Sequence, residues 1–330
     1  MELEYLHRTR KALCAVFIAA LGVGSTVSGQ AATYPDHPIR FIVPSAPGGG
    51  PDTVARLIAA ELVKQMGQQI VVDNRPGGAF VIGMDAIAKA PHDGYTIGYG
   101  SVGPLAISRH LTSKLPYDPE KDFQAISQVG MSQCIVAVNP SSPIKSVREL
   151  IDTARQKPDR LSYGASNGSI SHLAAELFKI MTGTKIVHVS YKNGAQAVTD
   201  VMGGQVDMVF GNLPEIWSHV RSGKVRALAV TGPHRSPGFP DLPRVAEVGV
   251  PGYEAVTWGG IVGPAGMPKE IVERLNVEIN KAIAASTFKE KYGAIGNEPL
   301  GGTPEEFARF IRQESAKWGK VVKTIGAKMD

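Results

Sequence analysis

Two glycine-rich segments constrain the fold of this chain most strongly, because each lies between an apolar run and an amphipathic one. Residues 44–52 follow the apolar run 39–43, and residues 165–169 follow the apolar run 161–164. A strand that passes through such a turn into a helix directs backbone N–H groups and the positive end of the helix dipole toward one point. The sequence therefore predicts two turns, more than a hundred residues apart, that each suit an anion.

Strand-like and helix-like segments alternate along the chain, which predicts an α/β fold with largely parallel sheets. Strands are expected at 39–43, 70–72, 95–99, 126–129, 135–138, 161–164, 186–189, 208–210 and 226–230. Helices are expected at 54–66, 82–89, 147–156, 171–181, 195–202, 215–222, 269–284 and 304–325. Residues 129–139 and 253–264 are the candidate crossings between two lobes. The expected domains are a discontinuous first lobe, 32–132 plus 257–330, and a second lobe, 133–256.

The first 31 residues have the features of a secretion signal. A basic segment at 7–11 precedes an apolar run at 12–23, and small residues lead to an expected cleavage after Ala31. The apolar run is shorter than the roughly 20 residues of a spanning helix, which favours cleavage over a membrane anchor. We therefore expect an exported protein. Cys14 lies in this leader, so Cys134 is the one thiol expected in the mature chain, as an inert buried residue without a disulfide.

Charge and motifs exclude several classes of function. The net charge is +5 with acidic residues interspersed, and no Lys/Arg run resembles a nucleic-acid-binding patch. The first glycine-rich segment lacks the Gly-Lys-Ser/Thr of a phosphate-binding NTPase loop and the separated glycines of a dinucleotide site. No spacing of His, Asp or Glu suggests zinc or calcium. The sequence predicts neither a cofactor nor a metal.

The candidate ligand-binding residues lie in the glycine-rich segments and in two further turns. Glycine allows a ligand to approach the main chain closely, although a simple strand–helix turn would use the same residues. Asp52 is expected to be the N-cap of the first helix, and Ser169 or Ser171 that of the second. Asp207 is interpreted as either a cleft residue or a turn residue. The candidates are Ser45, Ala46, Gly48, Gly49, Gly50, Ser101, Ser166, Asn167, Ser169 and Asp207.

A secreted serine hydrolase is the alternative hypothesis. Residues 164–168 match the string Gly-x-Ser-x-Gly, with Ser166 as the nucleophile and His172 nearby. Such an elbow also needs a distant histidine, an acid and an oxyanion hole. This hypothesis leaves the first glycine-rich segment unexplained, and a position in the first turn of a helix is the favoured interpretation of His172. For Trp258, a place at the hinge and a place in the core are both open, with the core favoured.

A series of short motifs runs along the whole expected mature chain. The most specific are Pro47-Gly48-Gly49-Gly50-Pro51-Asp52, Asn74-Arg75-Pro76-Gly77, Pro91-His92-Asp93-Gly94-Tyr95-Thr96, Gly203-Gly204-Gln205-Val206-Asp207, Trp258-Gly259-Gly260 and Gly263-Pro264-Ala265-Gly266-Met267-Pro268. In this order they resemble the Bug proteins, the periplasmic solute receptors of tripartite tricarboxylate transporters. The resemblance implies a periplasmic location.

The resemblance implies a two-lobed periplasmic-binding-protein (Venus flytrap) fold, each lobe a mostly parallel sheet flanked by helices. It implies a non-catalytic receptor that holds a small organic carboxylate between its lobes through main-chain amides and water. The first loop (residues 45–50) and the second loop (residues 166–169) would form the two jaws. The implied partners are a membrane permease or a sensor, and a monomer is expected.

Three departures from the family pattern leave the particular acid open. Ser45 stands where an aromatic residue is common, and Asn193 stands where glycine is common. Ala79-Phe80 replaces the usual small, glycine-rich continuation after Gly77. Phe80 either fills part of the pocket or packs beneath it.

Overall fold

The computed structural model describes residues 34–328, so the leader predicted over residues 1–31 lies outside the described part. Residue contacts divide the chain after Asp36, and the fold below is that of the larger unit, His37–Asp330, as far as it is described. None of the helices in the range 34–328 combines the length and the hydrophobicity that a membrane span requires.

Ten strands in the described residues share one continuous hydrogen-bonded system. They are β1 (Ile39–Val43), β2 (Ile70–Asn74), β3 (Thr96–Ser101), β4 (Phe123–Val138), β5 (Ser162–Ser166), β6 (Val187–Tyr191), β7 (Met208–Asn212), β8 (Arg226–Val230), β9 (Val256–Pro264) and β10 (Asn297–Pro299). Eight of them follow the order β2-β1-β3-β9-β4-β7-β5-β6, while β8 and β10 pair with β4.

Helices connect most of these strands. They are α1 (Gly50–Met66), α2 (Val81–Ala88), α3 (Ser108–Leu111), α4 (Val147–Gln156), α5 (Ile170–Thr182), α6 (Gly194–Met202), α7 (Leu213–Arg221), α8 (Lys269–Ala284), α9 (Ser286–Gly293) and α10 (Pro304–Ile325). A 3-10 turn, Gly78–Phe80, precedes α2, and a π turn, Gly103–Ile107, precedes α3. The predicted α/β class is confirmed.

Parallel pairing is confined to the two ends of the strand order. β1 pairs in parallel with β2 and β3, and β5 pairs in parallel with β6 and β7. The pairs made by β4 and β9 are antiparallel. The two parallel groups are therefore joined by an antiparallel centre.

The strand β4 belongs to both groups. Its residues up to Gln133 pair with β9, and its residues from Cys134 pair with β7. The two short strands predicted at 126–129 and 135–138 are thus parts of one strand. The segment 253–264, predicted as a crossing, is mostly β9. The lobe boundaries at 132/133 and 256/257 stay a prediction, although β4 changes its neighbour close to the first of them.

Buried side chains fix the centre of the molecule. Trp258 of β9 is 2% exposed and donates from Nε1 to Glu314 Oε2 at 3.0 Å, and Trp318 donates to the same oxygen at 3.0 Å. A buried carboxylate needs such partners. Trp258 is therefore a core residue, as favoured. Cys134 is fully buried, and the burial raises the pKa of its thiol to about 12, which confirms the inert role.

Candidate functional site

The ends of the two parallel groups face each other across the middle of β4. Ser101, at the end of β3, pairs with Gly259 of β9, which in turn pairs with Gly130 of β4. Since β9 is antiparallel to both neighbours, β3 and β4 run in the same direction. Asn212, at the end of β7, pairs with Cys134 of β4, and β7 runs the opposite way. The two strand ends therefore approach each other and lie four positions apart along β4, which is about 13 Å of extended chain.

Both predicted loops lie at these edges. The first loop follows β1, which is parallel to β3, and β2 ends beside it at Asn74. The second loop begins with the last residue of β5, which is parallel to β7. Ligands of open α/β sheets bind beyond the carboxyl ends of the strands. The opposed edges therefore form the candidate site.

Asp52 holds the first loop from inside the helix that follows it. Its carboxylate accepts hydrogen bonds from Gly48 N–H at 2.8 Å, Asn74 Nδ2 at 2.9 Å and Arg56 Nε at 2.9 Å. The prediction that Asp52 is the N-cap is wrong. The helix begins two residues earlier at Gly50, with Gly49 as its cap, because Pro51 favours the first turn. The structural role predicted for Asp52 is confirmed by these hydrogen bonds.

The charge of Asp52 is retained at neutral pH. The hydrogen bond from Arg56, together with those from Gly48 and Asn74, lowers the pKa of the Asp52 carboxyl to about 2. The Asp52 side chain is 4% exposed, whereas that of Arg56 is 53% exposed. Asn74 Nδ2 also donates to Ser45 O at 3.0 Å. The first loop is thus built around the carboxylate of Asp52, whose charge is neutralised by Arg56.

His172 holds the second loop in a corresponding way. Gly168 N–H donates to His172 Nδ1 at 3.1 Å, and His172 is the third residue of α5, as Asp52 is of α1. Ser169 is the N-cap of α5, and its Oγ accepts from His172 N–H at 3.3 Å. The capping role predicted for Ser169 and the first-turn position predicted for His172 are confirmed.

The imidazole of His172 is buried in an aromatic stack. Its ring lies 4.2 Å from that of His188, which lies 4.9 Å from that of Tyr163. Desolvation lowers the pKa of His172 to about 4, so the ring is neutral at neutral pH. Because Nδ1 accepts the Gly168 hydrogen bond, the proton of the neutral ring is on Nε2. The second loop is held without a net charge.

Some amides of the two loops are occupied by internal bonds. Besides the bonds of Gly48 and Gly168, Gly49 N–H donates to Ala46 O at 3.2 Å and Ser169 N–H donates to Ser166 O at 3.1 Å. These four groups shape the turns and are not available to a ligand.

Other amides stay available at the same turns. Across residues 34–328, no protein acceptor is found for the N–H groups of Ala46, Gly50, Asn167 and Ile170. The first N–H groups of a helix have no partner within it, so α1 and α5 each offer donors beside a positive helix end. Gly49 contributes no capping side chain. The chemistry of both turns therefore suits a carboxylate oxygen.

The structure brings nine of the ten candidate residues to the two edges. The first edge holds Ser45, Ala46, Gly48, Gly49, Gly50 and Ser101, and the second holds Ser166, Asn167 and Ser169. Whether these residues contact a ligand stays a prediction.

Asp207 is placed at the other end of the second parallel group. It precedes β7, and its Oδ2 accepts from Ser162 N–H at 2.7 Å and from Ser162 Oγ at 2.8 Å. Ser162 begins β5, whereas Ser166 ends it. Asp207 therefore ties together the starts of two strands. The full length of a strand therefore separates Asp207 from the opposed edges, where these strands end. This distance favours the turn role over the cleft role.

The geometry offers Ser166 no general base. His172, the nearby histidine in sequence, uses Nδ1 to accept from Gly168 N–H. In the described part of the chain, no hydrogen bond joins Ser166 Oγ to a histidine. A serine nucleophile needs such a base within hydrogen-bond reach. The hydrolase hypothesis therefore lacks the general base that it requires beside Ser166.

Glu215 belongs to the second edge, although it is not among the candidate residues predicted from the sequence. It is the third residue of α7, the helix that follows β7, and thus occupies the helical position that Asp52 and His172 hold in theirs. Its carboxylate lies against Gly194, so closely that a side chain at that glycine would collide with it. Although the residue is exposed, desolvation of its carboxylate raises the pKa of Glu215. The signal in the sequence is its place two residues after the strand–helix junction.

Possible metal sites and three surface depressions were compared with this site in residues 34–328. No group of three or more His, Cys, Asp or Glu there could hold a metal ion. Surface depressions of 430 and 380 Å³ lie between α5 and α10, and one of 560 Å³ lies near the start of α8. None of these three is lined by either loop.

Comparisons with known proteins decide the family. The model of the TctC family, described as the tripartite tricarboxylate transporter family receptor, matches residues 54–327. This chain belongs to that family. It is 38% identical over 320 residues to protein BugT of Bordetella pertussis (strain Tohama I), a match that covers 96% of this chain and 98% of BugT.

Solved structures give the same result. Rpa4515 of R. palustris, solved with adipate, is 40% identical with a TM-score of 0.77, covering 90% of this chain and 100% of that one. MatC of Rhodopseudomonas palustris, solved with bound malate, is 28% identical with a TM-score of 0.72, covering 88% and 100%. The family consists of periplasmic, non-enzymatic solute-binding receptors with a two-lobed fold. The predicted resemblance and the predicted receptor class are confirmed, and the receptor class replaces the hydrolase alternative.

Proposed function

We propose that this TctC-family receptor binds a small organic carboxylate between the first and second loops and presents it to a membrane permease of the tripartite tricarboxylate type. The opposed strand ends are the observation that carries the proposal. The strands of the two parallel groups end toward the middle of β4 from opposite sides, and a glycine-rich loop and a helix follow a strand end in each group. A ligand bound at both edges would bias the receptor toward a closed form.

Backbone amides supply the affinity. Hydrogen bonds from N–H groups to a charged acceptor contribute roughly 1.5–3 kcal/mol each, and several of them support micromolar binding after ordering costs. The available donors are those of Ala46 and Gly50 on one side and Asn167 and Ile170 on the other. Water completes the contacts that these amides leave open.

The relatives support the chemical class of the ligand. Adipate and malate, bound by Rpa4515 and MatC, are both dicarboxylates. The basic and apolar leader expected in residues 1–31 supports export to the periplasm, where such a receptor meets its solute. The family description favours a permease as partner, and binding to a membrane sensor instead would contradict that part of the proposal.

A comparison of acids with their amides tests the ligand class. We expect adipate or malate to raise the melting temperature of the mature protein, and adipamide, which has the same shape without charge, to have no effect. Isothermal titration calorimetry then gives the Kd. If neither these acids nor a wider panel of organic acids shifts the melting temperature, or if adipamide acts as strongly, the proposal is wrong.

Gly50→Pro tests the role of the amides, because it removes one N–H group, while Gly50→Ala controls for the side chain that both substitutions place before Pro51. Gly50 is the first residue of α1, where proline fits a helix best, and the extended backbone of Gly49 suits the residue before proline. We expect the Kd to rise about 10- to 100-fold, since one charge-assisted hydrogen bond is lost. Gly50→Ala is the matched control. It keeps the N–H, its Cβ would meet no atom within 4 Å apart from its two chain neighbours and the nearby backbone of its own helix, and its Kd should stay within about twofold.

A further inference from the structure

A strained turn follows β2 at the first edge. Gly77, Gly78, Ala79 and Phe80 have φ values of 122°, 56°, 51° and 78°. Glycine adopts positive φ freely, but Ala79 and Phe80 carry Cβ atoms that make this region unfavourable. Such strain persists where the surrounding structure enforces it, and it concentrates at ligand clamps and active sites.

This turn lies beside the first loop. Arg75 N–H donates to Val43 O at 2.8 Å, just before the loop begins. On the other side of the turn, Gly83 of α2 packs so closely on Pro44 that a side chain at Gly83 would collide with it. Phe80, the residue directly before α2, is therefore held within one helical turn of that contact.

Phe80 keeps part of its surface exposed at this turn. The residue is 36% exposed, and in residues 34–328 its ring contacts no other aromatic ring. Ile82 is also exposed, but its side chain lies against Gly77 and thus supports the turn. The first loop itself contains only serine, alanine, proline and glycine. Phe80 is the large apolar side chain that the strained turn adds to this edge.

We propose that Phe80 determines the specificity of the receptor, by packing its ring against the hydrocarbon body of the bound acid. The inference rests on the proposed carboxylate site. The ring favours acids with an aromatic ring or an aliphatic chain over small hydroxy acids. Burial of apolar surface from both partners gives this preference, and the area of one ring face corresponds to about a tenfold change in Kd.

Two glycine substitutions separate the ring from the strain. Phe80→Gly removes both the ring and the strain at residue 80, whereas Ala79→Gly removes strain at the neighbouring residue and keeps the ring. We expect both variants to have a raised melting temperature without ligand, because glycine tolerates the positive φ. The Kd values of wild type and both variants are then measured for adipate, phenylacetate and malate by calorimetry.

The expected result is a selective loss. In Phe80→Gly, the Kd for adipate and phenylacetate rises about tenfold while that for malate stays within about twofold. In Ala79→Gly, all three Kd values stay within about twofold of wild type. Phe80→Tyr, which keeps the apolar ring face, retains the preference.

Other outcomes overturn the inference in distinguishable ways. If the wild type binds these acids and Phe80→Gly weakens all three equally or none, Phe80 has no role in specificity while the carboxylate receptor stands. A wild type that prefers malate leads to the same conclusion about Phe80. If the wild type binds no organic acid, the proposed function itself is wrong, and this inference with it.

Discussion

The two glycine-rich loops reach nearly the same backbone geometry with different side chains. Gly48 and Gly168 have φ values of 80° and 69°, and the caps that follow, Gly49 and Ser169, both have φ −71° with ψ 165° and 163°. In each loop the third helical residue accepts a hydrogen bond from the glycine four residues before it. We call Asp52 and His172 the anchor residues of the first and second loops.

The two anchor residues differ in charge, and this difference shows what the turn requires. Asp52 is an anion that needs Arg56 and Asn74 around it, whereas His172 is a neutral ring stacked on His188. The turn therefore requires an acceptor at the third helical position, and either a carboxylate or an imidazole supplies it. An anionic anchor beside an anion site is tolerated only with a compensating cation.

Removal of the first anchor has the largest expected effect. Asp52→Ala leaves Gly48 N–H and one of the two N–H donors of Asn74 without an acceptor and Arg56 without its ion pair, and we expect the free energy of unfolding to fall by about 4 kcal/mol. Urea denaturation measures it. Glu273→Ala, which removes the same charge from an exposed pair with Lys269, should cost less than about 0.5 kcal/mol. Equal losses in the two variants would mean that Asp52 is no anchor.

The second anchor makes stability depend on pH. The pKa of His172 is about 4 in the folded protein and 6.5 in the unfolded chain, so between these values the unfolded chain binds a proton that the folded one does not. Stability from this residue is complete above pH 6.5 and is lost as the pH falls toward 4, by ~3 kcal/mol in total. Urea denaturation at pH 7, 5.5 and 4 measures the loss.

Two variants at the same position serve as controls for that measurement. His172→Asn keeps an acceptor for Gly168 N–H but does not titrate, so its stability should fall less between pH 7 and pH 4 than that of wild type. His172→Leu removes the acceptor and should be destabilised at pH 7 by about 1–3 kcal/mol. A wild-type loss that persists unchanged in His172→Asn would contradict the assignment.

Substitution of Ser169, the N-cap of α5, gives the next largest expected change in the free energy of unfolding. Ser169→Ala removes the acceptor of His172 N–H and should lower the free energy of unfolding by about 1 kcal/mol. Ser169→Gly copies the cap of the first loop and should cost only about 0.3 kcal/mol. Thermal unfolding of the three proteins at one pH ranks them. An alanine variant as stable as the glycine variant would show that the serine hydroxyl contributes nothing.

The cation of the first loop gives the smallest effect. Arg56→Gln leaves Asp52 with less compensation beside the proposed site, so carboxylates should bind about two- to fivefold more weakly at low salt. At about 1 M salt the difference should disappear, because screening removes interactions between exposed charges. Calorimetry at both salt concentrations measures it. A loss that is independent of salt would indicate a structural role for Arg56 instead.

Local patterns predicted most of the helices and strands. α4, α8 and α10, like β1 and β8, have the predicted bounds, because their periodicity and end signals agree. α9 and β10 were missed, since neither carries a strong local pattern. The small-residue segment around Ser101 has no helical pattern, yet the chain continues from it into the π turn Gly103–Ile107.

The larger differences between the predicted and the observed strands come from long-range pairing. The polar residues of β4, such as Ser127 and Gln133, interrupt its apolar pattern, although both are fully buried in the strand. Ser127 Oγ donates to Asn280 Oδ1 at 2.8 Å, and Gln133 Nε2 donates to Glu298 Oε1 at 3.0 Å. Partners more than 150 residues away thus allow these side chains to be buried, and no local window contains them.

The sequence by itself determined the α/β class, the two glycine-rich turns and the family, because each is written in short-range periodicity and contiguous motifs. Only the tertiary structure decided that the two turns lie at opposed strand ends, that Asp207 lies at the far end of its strand group and that His172 anchors a loop. Those properties depend on the register of β4 with β7 and β9 and on the burial of single side chains. Register and burial come from contacts between distant parts of the chain, which local patterns do not encode.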